Sequence, residues 1–261
     1  MPFLGSQPAE TALTTGNLGD DIVTEAKMAN DAIGLAELKA GTDGEIISWD
    51  ASGNPVAIGA GTAGHFLKSQ GAGSQPVFAA AGGAWNLIGT AVASSSASLT
   101  ITGLDSTYDT YAVALSDCVP ATDSVDGWFR FGDSSGIDTG ASDYGWGFAL
   151  FAINNTSANW NSSEDHEDAQ IKLNTNGVTT GVGNASGEGI AGMFYLNGPG
   201  DSTRRSSISG IYDVTDTGGN TYGGRMSGDR ETVITLDRIL FQFSSGNIAT
   251  GRMTVWGIAH A

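Results

Sequence analysis

The chain has 261 residues, among them 39 Gly and 6 Pro, and it is 40% apolar and 15% charged. That excludes a disordered chain, leaves enough apolar material for a sizeable core, and favours many short strands joined by tight turns over helices. A formal net charge of −17 opposes nucleic-acid binding and adhesion to anionic membranes, which both need Lys and Arg to meet phosphate.

Residues 1–15 read as an extended leader, with Pro2, Gly5 and Pro8 and few apolar positions. The start lacks the basic opening and apolar core of a secretory signal, and no run approaches the ~20 apolar residues of a membrane span. The expectation is a protein made in the cytoplasm, with no membrane insertion. Asp21-Ile22-Val23-Thr24-Glu25-Ala26-Lys27-Met28 then lines up, ten positions on, with Asp31-Ala32-Ile33-Gly34-Leu35-Ala36-Glu37-Leu38. Read as a helix, Ile22, Ala26, Ala29 and Ile33 share a face, but Gly34 opposes one by about 1 kcal/mol relative to Ala. Short helical turns or mixed structure are expected, with a partner to cover the stripe.

A second repeat follows. Ala40-Gly41-Thr42-Asp43-Gly44 and Ala60-Gly61-Thr62-Ala63-Gly64 each lead to an apolar pair (Ile46-Ile47, Phe66-Leu67), a Ser/Gly-rich bend and Pro-Val (Pro55-Val56, Pro76-Val77). Units this small cannot enclose a core and must stack, along the chain or between chains. Gly59-Ala60-Gly61-Thr62-Ala63-Gly64 also matches G-x-G-x-x-G, but no βαβ unit surrounds it, so it reads as a turn.

From Trp85 the pattern changes to short apolar alternations separated by Gly, Asp, Asn and Ser. Leu99 and Ile101 alternate with Thr100 and Thr102, and Ile239, Phe241 and Phe243 repeat the pattern, as do Met253 and Val255. Further strands are expected near 87–93, 109–116, 127–132, 145–153, 169–174, 189–196, 206–212 and 231–236. The expected fold is therefore mainly β. It has an extended leader (1–15), an elongated shaft with short repeats (16–83) and a C-terminal jelly-roll-like β-sandwich head (84–261).

These stretches resemble tailed-bacteriophage virion fibre proteins. Pro2-Phe3-Leu4-Gly5 with Pro8-Ala9 looks like a leader that docks on a virion, and the tandem from Asp21 looks like the decad repeats of fibre shafts. Gly61-Thr62-Ala63-Gly64-His65-Phe66-Leu67-Lys68-Ser69 and its partner look like small β modules preceding fibre tips. Phe243-Ser244-Ser245-Gly246-Asn247-Ile248-Ala249 with Arg252 is similar to phage tip sandwiches. The resemblance implies a parallel homotrimer that docks on other virion proteins through its N-terminus and points its heads outward. Its function would be attachment to a host-surface polysaccharide, without enzymatic activity. The alternative is a capsid decoration or head-fibre protein with a stabilising or display role.

Candidate chemistry is sparse. Cys118 is the single cysteine, which excludes an intramolecular disulfide, and its place in an apolar alternation predicts a buried thiol. Glu164-Asp165-His166-Glu167-Asp168 reads as a solvated loop, a calcium site or a carboxylate pair for glycoside hydrolysis. No catalytic residue and no cofactor is expected beyond that structural cation. His65, His166 and His260 stand in separate segments. Trp128, Tyr144, Trp146 and Trp160 lie among polar residues and read either as core or as flat faces for sugar. Arg204-Arg205, the one paired basic site, suits an anionic glycan or a solvated turn.

Overall fold

The computed structural model describes residues 40–80, 82–153, 160–175 and 177–259, with Gly16, Gly19, Thr24 and Met28 as isolated positions. The leader and the ten-residue tandem lie outside the described residues. The chain divides into two units, Met1–Ala81 and Gly82–Ala261. The structure is mainly β, with several sheets.

In the first unit, each copy of the twenty-residue repeat is one antiparallel hairpin. β1 (Ile46–Trp49) pairs β2 (Pro55–Ile58), and β3 (His65–Lys68) pairs β4 (Val77–Ala80). The same turn opens both. The Glu45 amide donates to Thr42 O, the His65 amide donates to Thr62 O, and the last turn residues, Gly44 and Gly64, hold φ of +83° and +86°. Only glycine takes up that left-handed conformation freely, which is why both copies place it there. In the first bend Asp50 Oδ1 accepts from the amides of Ser52 (2.8 Å) and Asn54 (2.9 Å). Those amide bonds, Asn54 foremost, hold its carboxyl below the usual range.

The hairpins bury almost none of their apolar side chains. Ile47 (57%), Trp49 (63%) and Phe66 (63%) are exposed, and only Ile58 is buried. A two-stranded hairpin is marginal alone in water, so this unit needs further cover.

The second unit holds thirteen strands among its described residues: β5 (Trp85–Val92), β6 (Leu99–Thr102), β7 (Thr110–Pro120), β8 (Gly127–Asp133), β9 (Gly136–Ile137), β10 (Tyr144–Ala152) and β11 (Trp160–Asp168), then β12 (Ile171–Lys172), β13 (Gly189–Asn197), β14 (Ser207–Thr215), β15 (Thr221–Arg230), β16 (Arg238–Phe243) and β17 (Ile248–Ile258). Eight form one sheet in the order β11-β10-β15-β14-β13-β7-β17-β5; the rest form a second, β12-β8-β16-β6, with β9 beside β8. Every strand pair is antiparallel.

The two sheets share one core. Phe129 and Phe241 of the smaller sheet and Phe194 of the larger are wholly buried, with the Phe129 and Phe194 rings edge-on at 5.0 Å. Tyr111 locks an entry corner: its hydroxyl donates to Asp105 O (2.9 Å) and accepts from the Asp105 amide (3.0 Å). Cys118 is fully buried, as its alternation predicts.

Four local expectations are corrected. The acidic run 164–168 is part of β11, a strand and not a loop. Thr221–Arg230 forms a ten-residue strand where none was expected. Residues 231–236 join no ladder, and of 169–174 only Ile171 and Lys172 pair.

Candidate functional site

Alternation along β10 sends Tyr144, Trp146, Phe148 and Leu150 inward and leaves Gly145, Gly147, Ala149 and Phe151 on the outer face of the large sheet. Register places Phe151 opposite Trp160, Ala149 opposite Ser162 and Gly147 opposite Glu164 on the edge strand β11. The outer face thus grades from bulky to small along one strand.

At the bulky end Trp160 is 75% exposed and tilts at 53° against Phe151, with ring centroids 5.6 Å apart. Beside them Ile153 and Ile211 stand out from the surface. Gly223 pairs with Phe151 on one side and Asp213 on the other. A Cβ there would come within 2.8 Å of Asp213 Oδ1 and 3.1 Å of Ile153 Cδ1. The bare backbone therefore leaves an apolar hollow of about 440 Å³, lined by Phe151, Ile153, Met193, Ile211 and Asp213.

At the small end the surface dips twice more. One depression of about 780 Å³ is lined by Gly147, Ala149, Ser162, Glu164, Arg225 and Ser227. The other, about 800 Å³, is bordered by Gly145, Glu164, His166, Ser207, Asp229 and Glu231. Carboxylates dominate this end. Arg205 Nη1 is paired with Glu231 (2.9 Å) and reaches Asp229 (3.5 Å), so two carboxylates already offset its charge. An aromatic platform, a shallow trough and hydroxyls suit a neutral, hydroxyl-rich ligand better than an anionic one.

The four aromatic candidates do not converge. Tyr144 is wholly buried, its hydroxyl accepting from the Phe131 amide at 2.9 Å. Trp146 is 7% exposed, stacked on Phe148 at 5.6 Å, and donates to Asp168 Oδ2 at 3.1 Å. Neither can offer a ring face to a surface ligand, which corrects the expectation for both. Trp128 is half-buried on β8 in the smaller sheet, with the Arg130 guanidinium 5.6 Å from its ring. Trp160 alone stands open.

Phe151, Ile153 and Ile211 are site residues that the sequence reading missed. The signal for Phe151 and Ile153 is the run Leu150-Phe151-Ala152-Ile153, apolar on both strand parities, which marks a strand end dressed on two faces; Ile211 has no such signal.

Within the acidic run, Asp168 is fully occupied. Lys172 Nζ (2.9 Å), Trp146 Nε1 (3.1 Å) and the Ala169 amide (2.6 Å) all reach its carboxylate. Burial pushes the Asp168 carboxyl up, but these partners outweigh it and hold the group below the usual range. Glu164 and Asp165 belong to the trough wall, and Glu167 is exposed. Among the described residues no group of three or more His, Cys, Asp or Glu is arranged to hold a metal ion, and no helix is long and apolar enough to cross a membrane. His65 opens β3, His166 lies on β11, and His260 lies outside the described residues.

No family model matches this chain, and neither a curated protein nor a solved structure matches it significantly.

Proposed function

We propose that this chain is a structural, non-enzymatic fibre protein of a bacteriophage virion. It assembles as a parallel homotrimer, its N-terminal segment docking on other virion proteins. The repeat hairpins form a shaft, and the C-terminal unit is a jelly-roll-like head that binds a neutral glycan of the host surface. The observation that carries the reading is the open Trp160–Phe151 platform beside a trough floored by small residues. Sugar rings stack on such aromatic faces while Ser, Glu and Arg side chains at the rim supply orienting hydrogen bonds. Three identical heads would turn weak single-site contacts into useful avidity. The bare apolar side chains of the hairpins support the shaft assignment, because identical neighbours are the simplest cover for a repeat.

The test is binding of the full chain to an array of bacterial surface polysaccharides, with imaging of a particle that carries it. Retention of neutral polysaccharides and density projecting from the particle are expected. Absence of all glycan binding would discard the attachment role, and density lying flat on the capsid would select the decoration role.

A further inference from the structure

We infer that the outer side of β5 is a contact surface for a second copy of this chain. β5 is the edge strand opposite β11, seven strand spacings or about 34 Å away along the sheet. Its outward positions are Trp85, Leu87, Thr90 and Val92, and a bulge beside Leu87 turns Ile88 inward to the core. Leu87 (64%) and Val92 (68%) are among the most exposed apolar side chains of the unit. Trp85 adds a ring tilted on Trp256 at 5.8 Å, and Thr90 Oγ1 bonds Thr254 Oγ1 at 3.1 Å. A long, uncharged apolar edge without Pro is a template for association, and proteins that stay monomeric blunt such edges with charge.

Charge names the occupant. The chain carries 28 Asp and Glu, yet none lies between Asp50 and Asp105, and Lys68 is the only charged residue in that interval. Copies of a chain at −17 repel one another wherever carboxylates face each other, so self-contact is cheapest in stretches that lack them, and this is the longest such stretch in the sequence. A heterologous partner would need no such clearing on this chain. The interval spans β2 to β6, running without interruption from the repeat hairpins into β5, which starts five positions after β4 ends. Arg252, paired with Val92, and Asp117 on β7 are the nearest charges of the large sheet and would form a polar rim. The parallel arrangement of the copies rests on the fibre reading; the contact itself does not.

Sedimentation of the full chain at micromolar concentration, unaltered and as the Leu87→Glu/Val92→Glu double variant, tests this. The unaltered chain is expected well above its monomer mass of 26.6 kDa, and the variant at least tenfold weaker in association. Because the double variant could also disturb folding, Leu87→Cys provides a second readout. Mild oxidation should give a covalent pair with Leu87→Cys and none with Val233→Cys, an exposed position outside β5. A monomeric unaltered chain overturns the inference together with the trimer. An assembled chain indifferent to the double variant, with no Leu87→Cys pair, overturns β5 alone. Lost glycan binding with assembly still sensitive to Leu87 would discard attachment and leave the inference standing.

Discussion

Arg230, the last residue of β15, donates from Nε to Asp138 Oδ2 at 2.9 Å and ties the connection between β9 and β10 to the large sheet. Its other nitrogens reach the Asp143 carboxylate and the Asp143 carbonyl, both at 2.9 Å, and the guanidinium lies 5.6 Å from the centre of the Tyr144 ring. One mostly buried cation thus fixes two carboxylates of a turn. Replacing it with Ala strands both. Arg230→Ala is expected to lower stability by about 3 kcal/mol, the low end for breaking a buried pair because both carboxylates keep some solvent. Urea unfolding measures this, and a change below 0.5 kcal/mol would refute the role given to the cluster.

Trp160→Ala should separate binding from folding. The side chain is 75% exposed and contributes nothing to the core, so unfolding should shift by no more than ~0.5 kcal/mol. Binding to neutral polysaccharide should fall at least tenfold, by calorimetry or array signal. Trp146→Phe should show the converse, because Trp146 is bonded inside the fold to Asp168. Intact binding by Trp160→Ala would remove the platform from the site.

Acid should weaken the fold through Asp168 and Asp216. Burial raises the Asp216 carboxyl, but bonds from the Asn220 amide (3.0 Å), Thr180 and the Gly218 amide (3.0 Å) outweigh it and hold the group low. Both folded values lie below the unfolded carboxylate value of ~3.9, so the unfolded chain binds more protons near pH 4. Their contribution is therefore fully present above that value and is lost as pH falls through the folded values. Urea midpoints should hold from pH 7 to 5 and drop below about 4. In Asp168→Asn/Asp216→Asn the drop should be shallower and the pH 7 midpoint lower. Parallel acid limbs would contradict the assignment.

Cys118 should be inert. Burial pushes its thiol up to about 12, and Sγ faces the carbonyls of Arg252 (3.7 Å) and Ser116 (3.8 Å). A thiolate-specific reagent at pH 8 should label the denatured chain fully and the native chain only as fast as it opens. Rapid native labelling would mean that β7 and β17 part readily.

The β class and many of the strands are visible in the residues themselves. β6, β16 and β17 announce themselves by alternation, since each faces the core on one side and water or a neighbour on the other. β15 hides. Of its inward positions Tyr222, Gly224, Met226, Gly228 and Arg230, two lack side chains because the Ala149 carbonyl with Leu150 and, at Gly228, Ile171 fill the space, and one is a cation. β11 hides for the opposite reason: as an edge strand it gives no side chain to the core, so its composition is that of a loop. Trp146 misleads because Gly145 and Gly147, which give it a polar-looking setting, occupy the outer face while its own ring points in. Alternation reveals which residues share a face, not which face is wet.

The two edges of the large sheet carry different burdens. β11 is bonded on one side only and no core packing depends on its side chains. Apart from Asp168, which holds Trp146 and Lys172, mutations there escape the constraint that a packed interior imposes, so the rest of this strand can drift in sequence while the scaffold beneath stays unchanged.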